Sequence, residues 1–176
     1  MHVIFPRLPD HQRAYALVER NDRVVYRLNG GVAASRLPRD IMHLVVEREL
    51  GIQDGIWGAI AQGVVFSSMT HVSGRRRPHA EERSLRLFRE FRRRGLRAEL
   101  LADLVAATAA LDAPTPQQIR ALAAIKLAVL PDAEVDPAAI AAAARALQVE
   151  AARWARLRVG EHLDYEWPAL HEHLSA

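Results

Sequence analysis

Hydrophobic and polar positions keep one period at the start of the chain and another in most of the rest. His2 to Arg7, Ala14 to Arg20 and Arg23 to Leu28 are alternating or β-rich runs, the pattern of half-buried strands. In the second run Tyr15, Leu17 and Glu19 share one face, and Ala14, Ala16 and Val18 share the other. Asn21-Asp22 suits a hairpin turn between the second and third runs, and Asn29-Gly30-Gly31 is expected to end the sheet section. A helix is predicted from Pro38 to Leu50, with Asp40 in its first turn and Gly51 as its stop. Asp54 is a candidate cap for a short helix through Ala61, Val64-Val65-Phe66 reads as a helix end or a buried strand, and Ser67 to Pro78 reads as a loop.

From His79 the pattern is helical to near the C-terminus. Leu85, Phe88 and Phe91 make an apolar stripe and Gly95 is expected to stop that helix. Ala98 to Leu111 follows, with Leu101, Leu104, Val105 and Thr108 inward. Thr115-Pro116-Gln117-Gln118 resembles a capping box and opens a helix that Pro131 should end. Asp136-Pro137 opens the next, with Ile140, Ala144, Leu147, Ala151 and Trp154 on one seam, either core or a dimer surface. The expectation is an α+β fold, a short N-terminal antiparallel β section followed by a predominantly α-helical bundle. Residues 1–74 would form the first section and residues 75–176 the helical one, together one compact unit.

Composition narrows the chemistry. The absence of cysteine excludes disulfides, thiolate metal sites, iron–sulfur clusters and cysteine nucleophiles. No secretory signal pattern opens the sequence and no apolar stretch is long enough to span a bilayer, so a cytoplasmic protein without a membrane partner is expected. Charge is uneven: residues 75–97 hold ten Arg against Glu81, Glu82 and Glu90, within a chain whose net charge is only +3. Arg86, Arg89 and Arg93 form a basic stripe opposite the Leu85, Phe88 and Phe91 face, able to engage nucleic acid or another acidic partner. The alternative is a solvated face, or one docked onto the acidic C-terminal helices.

One polar constellation stands out. Asp40, His43 and Glu47 fall at i, i+3 and i+7, within about 60° of one another on a helix otherwise apolar nearly all round. Two carboxylates and an imidazole can hold a divalent metal, with His71 or His79 as a further ligand, in a hydrolase-like centre. Glu47 could equally orient His43 as a general base. The structural alternatives are a first-turn Asp, a paired Glu and a core His. Gly51, Gly55, Gly58 and Gly63 follow a helix rather than a strand and lack a G-K-[ST], so close packing of the Trp57 segment is favoured over phosphate binding. Ser67-Ser68 near His71 lacks a nucleophile elbow. His162, His171 and His173, with Asp164, Glu166 and Glu172, form a weak terminal metal pattern.

The stretch from Leu37 to Leu50, with Asp54-Gly55-Ile56-Trp57-Gly58 and Gly63-Val64-Val65-Phe66, resembles a set of small actinobacterial proteins with no assigned activity. The likeness covers roughly residues 1–95, and it implies one evolutionary unit without transferring a mechanism.

Overall fold

The computed structural model describes residues 1–32, 36–130 and 133–168, with only the backbone of Arg93 described. In chain order the elements are β1 (His2–Pro6), β2 (Arg13–Glu19), β3 (Val25–Val32), α1 (Arg39–Glu49), α2 (Ile56–Gln62), β4 (Met69–Ser73), α3 (Ala80–Ala109), α4 (Pro116–Lys126), α5 (Pro137–Arg156) and β5 (His162–Glu166). The strands form one sheet in the order β4-β3-β2-β1-β5, every neighbouring pair antiparallel. This is the expected α+β architecture of sheet and helices.

Alternation decides which face of the sheet is buried. Val3 sits opposite Val18 and Tyr165, Val18 opposite Tyr26, and Ala16 opposite Leu28, and all six are buried. Cross-strand partners point the same way, so one apolar face results. At the second hairpin the Arg20 amide donates to the Val24 carbonyl at 3.0 Å, and the Asp22 carboxylate accepts from the Val24 amide. The aromatic residues of the apolar face join sheet to helices. Phe5 packs edge-on against Trp57 of α2 at 5.6 Å and against Tyr165 at 5.8 Å, each contact adding roughly 0.5–1.5 kcal/mol beyond area burial.

Two of the three cap candidates hold. Thr115 and Gln118 form a reciprocal capping box, and the Asp136 carboxylate accepts from the Ala138 amide. Leu101, Leu104, Val105 and Thr108 are buried, as are Ile140, Ala144, Leu147 and Trp154.

Five local expectations are corrected. β3 continues through Asn29-Gly30-Gly31 to Val32, because Gly30 leaves room for the Asp40 carboxylate, whose Oδ2 would lie 2.8 Å from a Cβ there. The segment read as a loop contains β4, an edge strand exposed except at Met69, too polar to show a buried face. α3 runs through Gly95 without a break. Glycine costs about 1 kcal/mol inside a helix, but here the Phe91 ring occupies the space of its Cβ, and the buried residues beyond hold the helix together. α4 stops at Lys126, short of Pro131, in a turn where the Leu130 amide reaches the Leu127 carbonyl.

The largest departure is β5. Its His-Leu-Asp-Tyr-Glu alternation, absorbed into a helical reading of the C-terminal half, is that of a strand with Leu163 and Tyr165 inward. It pairs with β1 along its whole length, and the Trp167 amide donates to the Met1 carbonyl at 2.7 Å. The two ends of the described chain thus lie side by side in one sheet. No helix of the described residues is long and apolar enough to cross a membrane.

Candidate functional site

α1 carries the polar trio. Its side chains leave for three different neighbours. Glu47 is fully buried, and its carboxylate accepts the amides that open α2: Ile56 at 2.8 Å, Trp57 at 2.9 Å and Gly58 at 3.3 Å. The first amides of a helix lack partners within it, so this carboxylate caps α2 from another element. Asp54 does not cap α2; the residue at that position is Gly55, with no side-chain cap. Only glycine fits, because a Cβ at Gly55 would lie 2.2 Å from the Glu47 Cδ. Burial pushes the Glu47 carboxyl up to about 8, with the three amides pulling the other way.

Asp40 turns towards Gly30 of β3, while its backbone carbonyl accepts the Trp57 indole N–H at 2.9 Å. Burial also raises its carboxyl, against the opposing charge of Arg39. The Trp57 segment and its glycines are therefore packing elements of α1 and α2.

His43 is 2% exposed and reaches α3. Its Nε2 lies 3.1 Å from Glu99 Oε2 without forming a hydrogen bond, so the contact is a charge–dipole one at a buried nitrogen. Glu99 is itself held by Arg39 at 3.0 Å, with Asp103 at 4.0 Å from the same guanidinium. Burial lowers the His43 pKa; Glu99 and Asp103 oppose that and Arg39 adds to it, so the neutral imidazole is favoured.

His43, Glu47 and Glu99 line a cavity of about 380 Å³ whose other walls include Phe66, Phe91, Arg92 and Leu96. The result is an apolar chamber with an imidazole–carboxylate pair at one side. Sequence reading singled out His43 and Glu47 but missed Glu99. The available signal was Glu99 and Asp103 at i, i+4 on the polar edge of the helix that carries Leu101, Leu104 and Val105.

The four residues expected to ligate a metal are not brought together. His71 lies exposed on β4, where its Nε2 is 2.9 Å from the Gly74 carbonyl and its ring meets Tyr26 edge-on. His79 pairs with Glu82 at 3.3 Å in the first turn of α3. Among the described residues no three His, Asp or Glu side chains are grouped so as to hold a metal ion. His162, Asp164 and Glu166 are on β5, with Asp164 3.7 Å from His2; His171, Glu172 and His173 lie outside the described residues.

Arg86 and Arg89 lie on the exposed first half of α3, and neither makes an ion pair among the described residues. The Arg93 side chain lies outside what the structure describes. Glu81 and Glu82 are taken by Arg76 and His79. The second half of α3 is the part that packs into the core, and Arg86 and Arg89 are exposed on its first half. No protein-family model, curated protein or solved structure matches the chain.

Proposed function

We propose that the protein binds a small organic molecule in the cavity between α1 and α3, holding its polar end at His43 and Glu99. The observation that carries this reading is the buried His43 Nε2, 3.1 Å from the Glu99 carboxylate yet without a hydrogen bond, on a residue that lines this largely apolar cavity. A buried polar atom without a partner costs about 1–3 kcal/mol, and a ligand hydroxyl or amine would satisfy it. Phe66, Phe91 and Leu96 suit an apolar body.

Titration of the protein with phenol and benzylamine tests this. Saturable movement of the His43 ring resonances and a rise in Tm are expected, both lost in Glu99→Gln, a partly exposed position that should not disturb the fold. No saturable response in the wild type, or one unchanged in Glu99→Gln, would sink the reading.

A divalent cation is the second occupant that this pair could take. Nε2 and Oε2 offer a borderline nitrogen and a hard oxygen 3.1 Å apart, while Asp40 and Glu47 are committed to other contacts. Zinc or manganese retained stoichiometrically by the wild type and lost in His43→Gln would favour the cation. Beside either reading, the exposed and unpaired Arg86 and Arg89 support contact with an acidic partner, whose signature would be steep salt dependence.

A further inference from the structure

A second cavity lies where the β2–β3 hairpin meets the start of α3. It has a volume of about 230 Å³, and its lining includes Arg20, Asp22, Tyr26, Arg77 and Arg83. None of these residues belongs to the α1–α3 chamber. Three guanidinium groups and one carboxylate around one space leave a surplus of positive charge.

The Arg20 guanidinium is fixed in place. Its Nε donates to Asp22 Oδ1 at 3.2 Å, its Nη2 donates to Asp22 Oδ2, and its plane lies over the Tyr26 ring at 5.3 Å. That fork uses two of its nitrogens. The third, Nη1, is buried and has no hydrogen-bond partner. Burial pushes the Asp22 carboxyl up, but Arg20 first, then the Val24 amide and the neighbouring charge of Arg77, together hold it below its ordinary value. Arg77 and Arg83 make no ion pair among the described residues, because Glu81 and Glu82 are engaged by Arg76 and His79.

We infer that this cavity is a binding site for a phosphate group. Guanidinium forks present paired N–H donors to phosphate oxygens, and Arg77 and Arg83, which make no ion pair among the described residues, stand with the fixed Arg20 around one cavity and supply several donors at once. The Asp22 carboxylate repels the anion, and its role is to orient Arg20 rather than to touch the ligand. The group could arrive on a small phosphomonoester or within a nucleic-acid backbone. The two sources differ in whether the Arg86 and Arg89 stripe contributes.

Calorimetric titration at low ionic strength, with inorganic phosphate, pyrophosphate and a short single-stranded oligonucleotide as probes, decides the matter. Saturable binding of phosphate or pyrophosphate is expected, with chloride at equal ionic strength unable to replace it. Arg77→Gln and Arg83→Gln, both at exposed positions, should each weaken it about tenfold, the loss of one charge-assisted contact, with Tm unchanged. Arg86→Gln with Arg89→Gln should leave it intact. A small phosphomonoester is the source if the oligonucleotide binds no better than phosphate; a backbone is the source if it binds more tightly and still depends on Arg77 and Arg83. The inference is overturned if phosphate and pyrophosphate do not saturate or if the Arg77 and Arg83 variants bind them as the wild type does; oligonucleotide binding that depends on Arg86 and Arg89 alone assigns the site to a small phosphomonoester.

Discussion

Glu47 and Glu150 are both buried carboxylates, and the protein satisfies them in opposite ways. Glu47 receives three backbone amides from α2 and, among the described residues, no cation. Glu150 receives the Tyr165 hydroxyl at 2.6 Å and, at 2.9 and 3.0 Å, the half-exposed Arg153 guanidinium from its own helix. The first joins two consecutive helices through neutral dipoles. The second ties α5 to β5 and has an opposite charge beside it. The two therefore differ in what a substitution leaves behind: bare backbone amides at Glu47, a half-exposed guanidinium and a tyrosine hydroxyl at Glu150. Glu47 is also the one that lines the α1–α3 cavity.

The largest effect expected from this contrast is that of Glu47→Ala. It leaves three amides without acceptors and opens a cavity under α2. The cost should be on the order of 3–5 kcal/mol, as expected for several buried donors left unsatisfied beside a new cavity. Chemical denaturation should show a large fall in midpoint. Glu150→Ala should cost less, since Arg153 can turn to water. Equal losses in the two variants would erase the distinction.

The next effect is pH dependence. The folded protein holds the Glu47 proton more tightly than the unfolded chain does, so this group's contribution is complete below about 4.5 and drains away as pH rises through about 8. Each tenfold difference in proton affinity between the two states is worth about 1.4 kcal/mol, so the loss amounts to a few kcal/mol. The lowered pKa of His43 acts with the opposite sign, its contribution being lost as pH falls below 6.5. Comparison of wild type with Glu47→Gln isolates the Glu47 part: the variant should lose stability more gently between pH 5 and 8. A wild type whose stability relative to the variant grows with pH would mean that the α2 amides outweigh burial and hold the carboxylate charged.

Glu47 also shows how far the sequence could be read. The spacing of Asp40, His43 and Glu47 placed them on one face of a helix, and the apolar residues around them implied burial. Spacing along one element says nothing of what each side chain meets. Glu47 meets amides nine to eleven residues downstream, and the Gly55 that makes room for it looked like part of a glycine cluster. Glu99 was not visible as a partner because its pairing with His43 depends on how α1 and α3 come together. Capping residues were legible, since Thr115 and Asp136 act within their own first turns. β5 was not, although its alternation was present, because five residues of alternation weigh little without the strand they pair with. Glu150 carried a signal that went unused: it sits between Leu147 and Trp154 on the inward seam of α5, where a carboxylate needs a partner.

That partner sets the smallest prediction. Tyr165→Phe removes one donor from Glu150 and keeps the ring in contact with Phe5, so a loss of about 1–2 kcal/mol is expected. Burial and the adjacent carboxylate both raise the Tyr165 pKa, so the hydroxyl keeps its proton and continues to donate through mildly alkaline pH. Arg153→Ala should cost under about 1 kcal/mol, because a half-exposed ion pair within one helix is worth little in water. The double variant should cost more than the sum of the two, since it strips Glu150 of every described donor while leaving it 7% exposed. Simple additivity in denaturation midpoints would mean that water already reaches this carboxylate. Glu150 would then behave as a surface group, and the contrast with Glu47 would rest on burial rather than on the kind of donor.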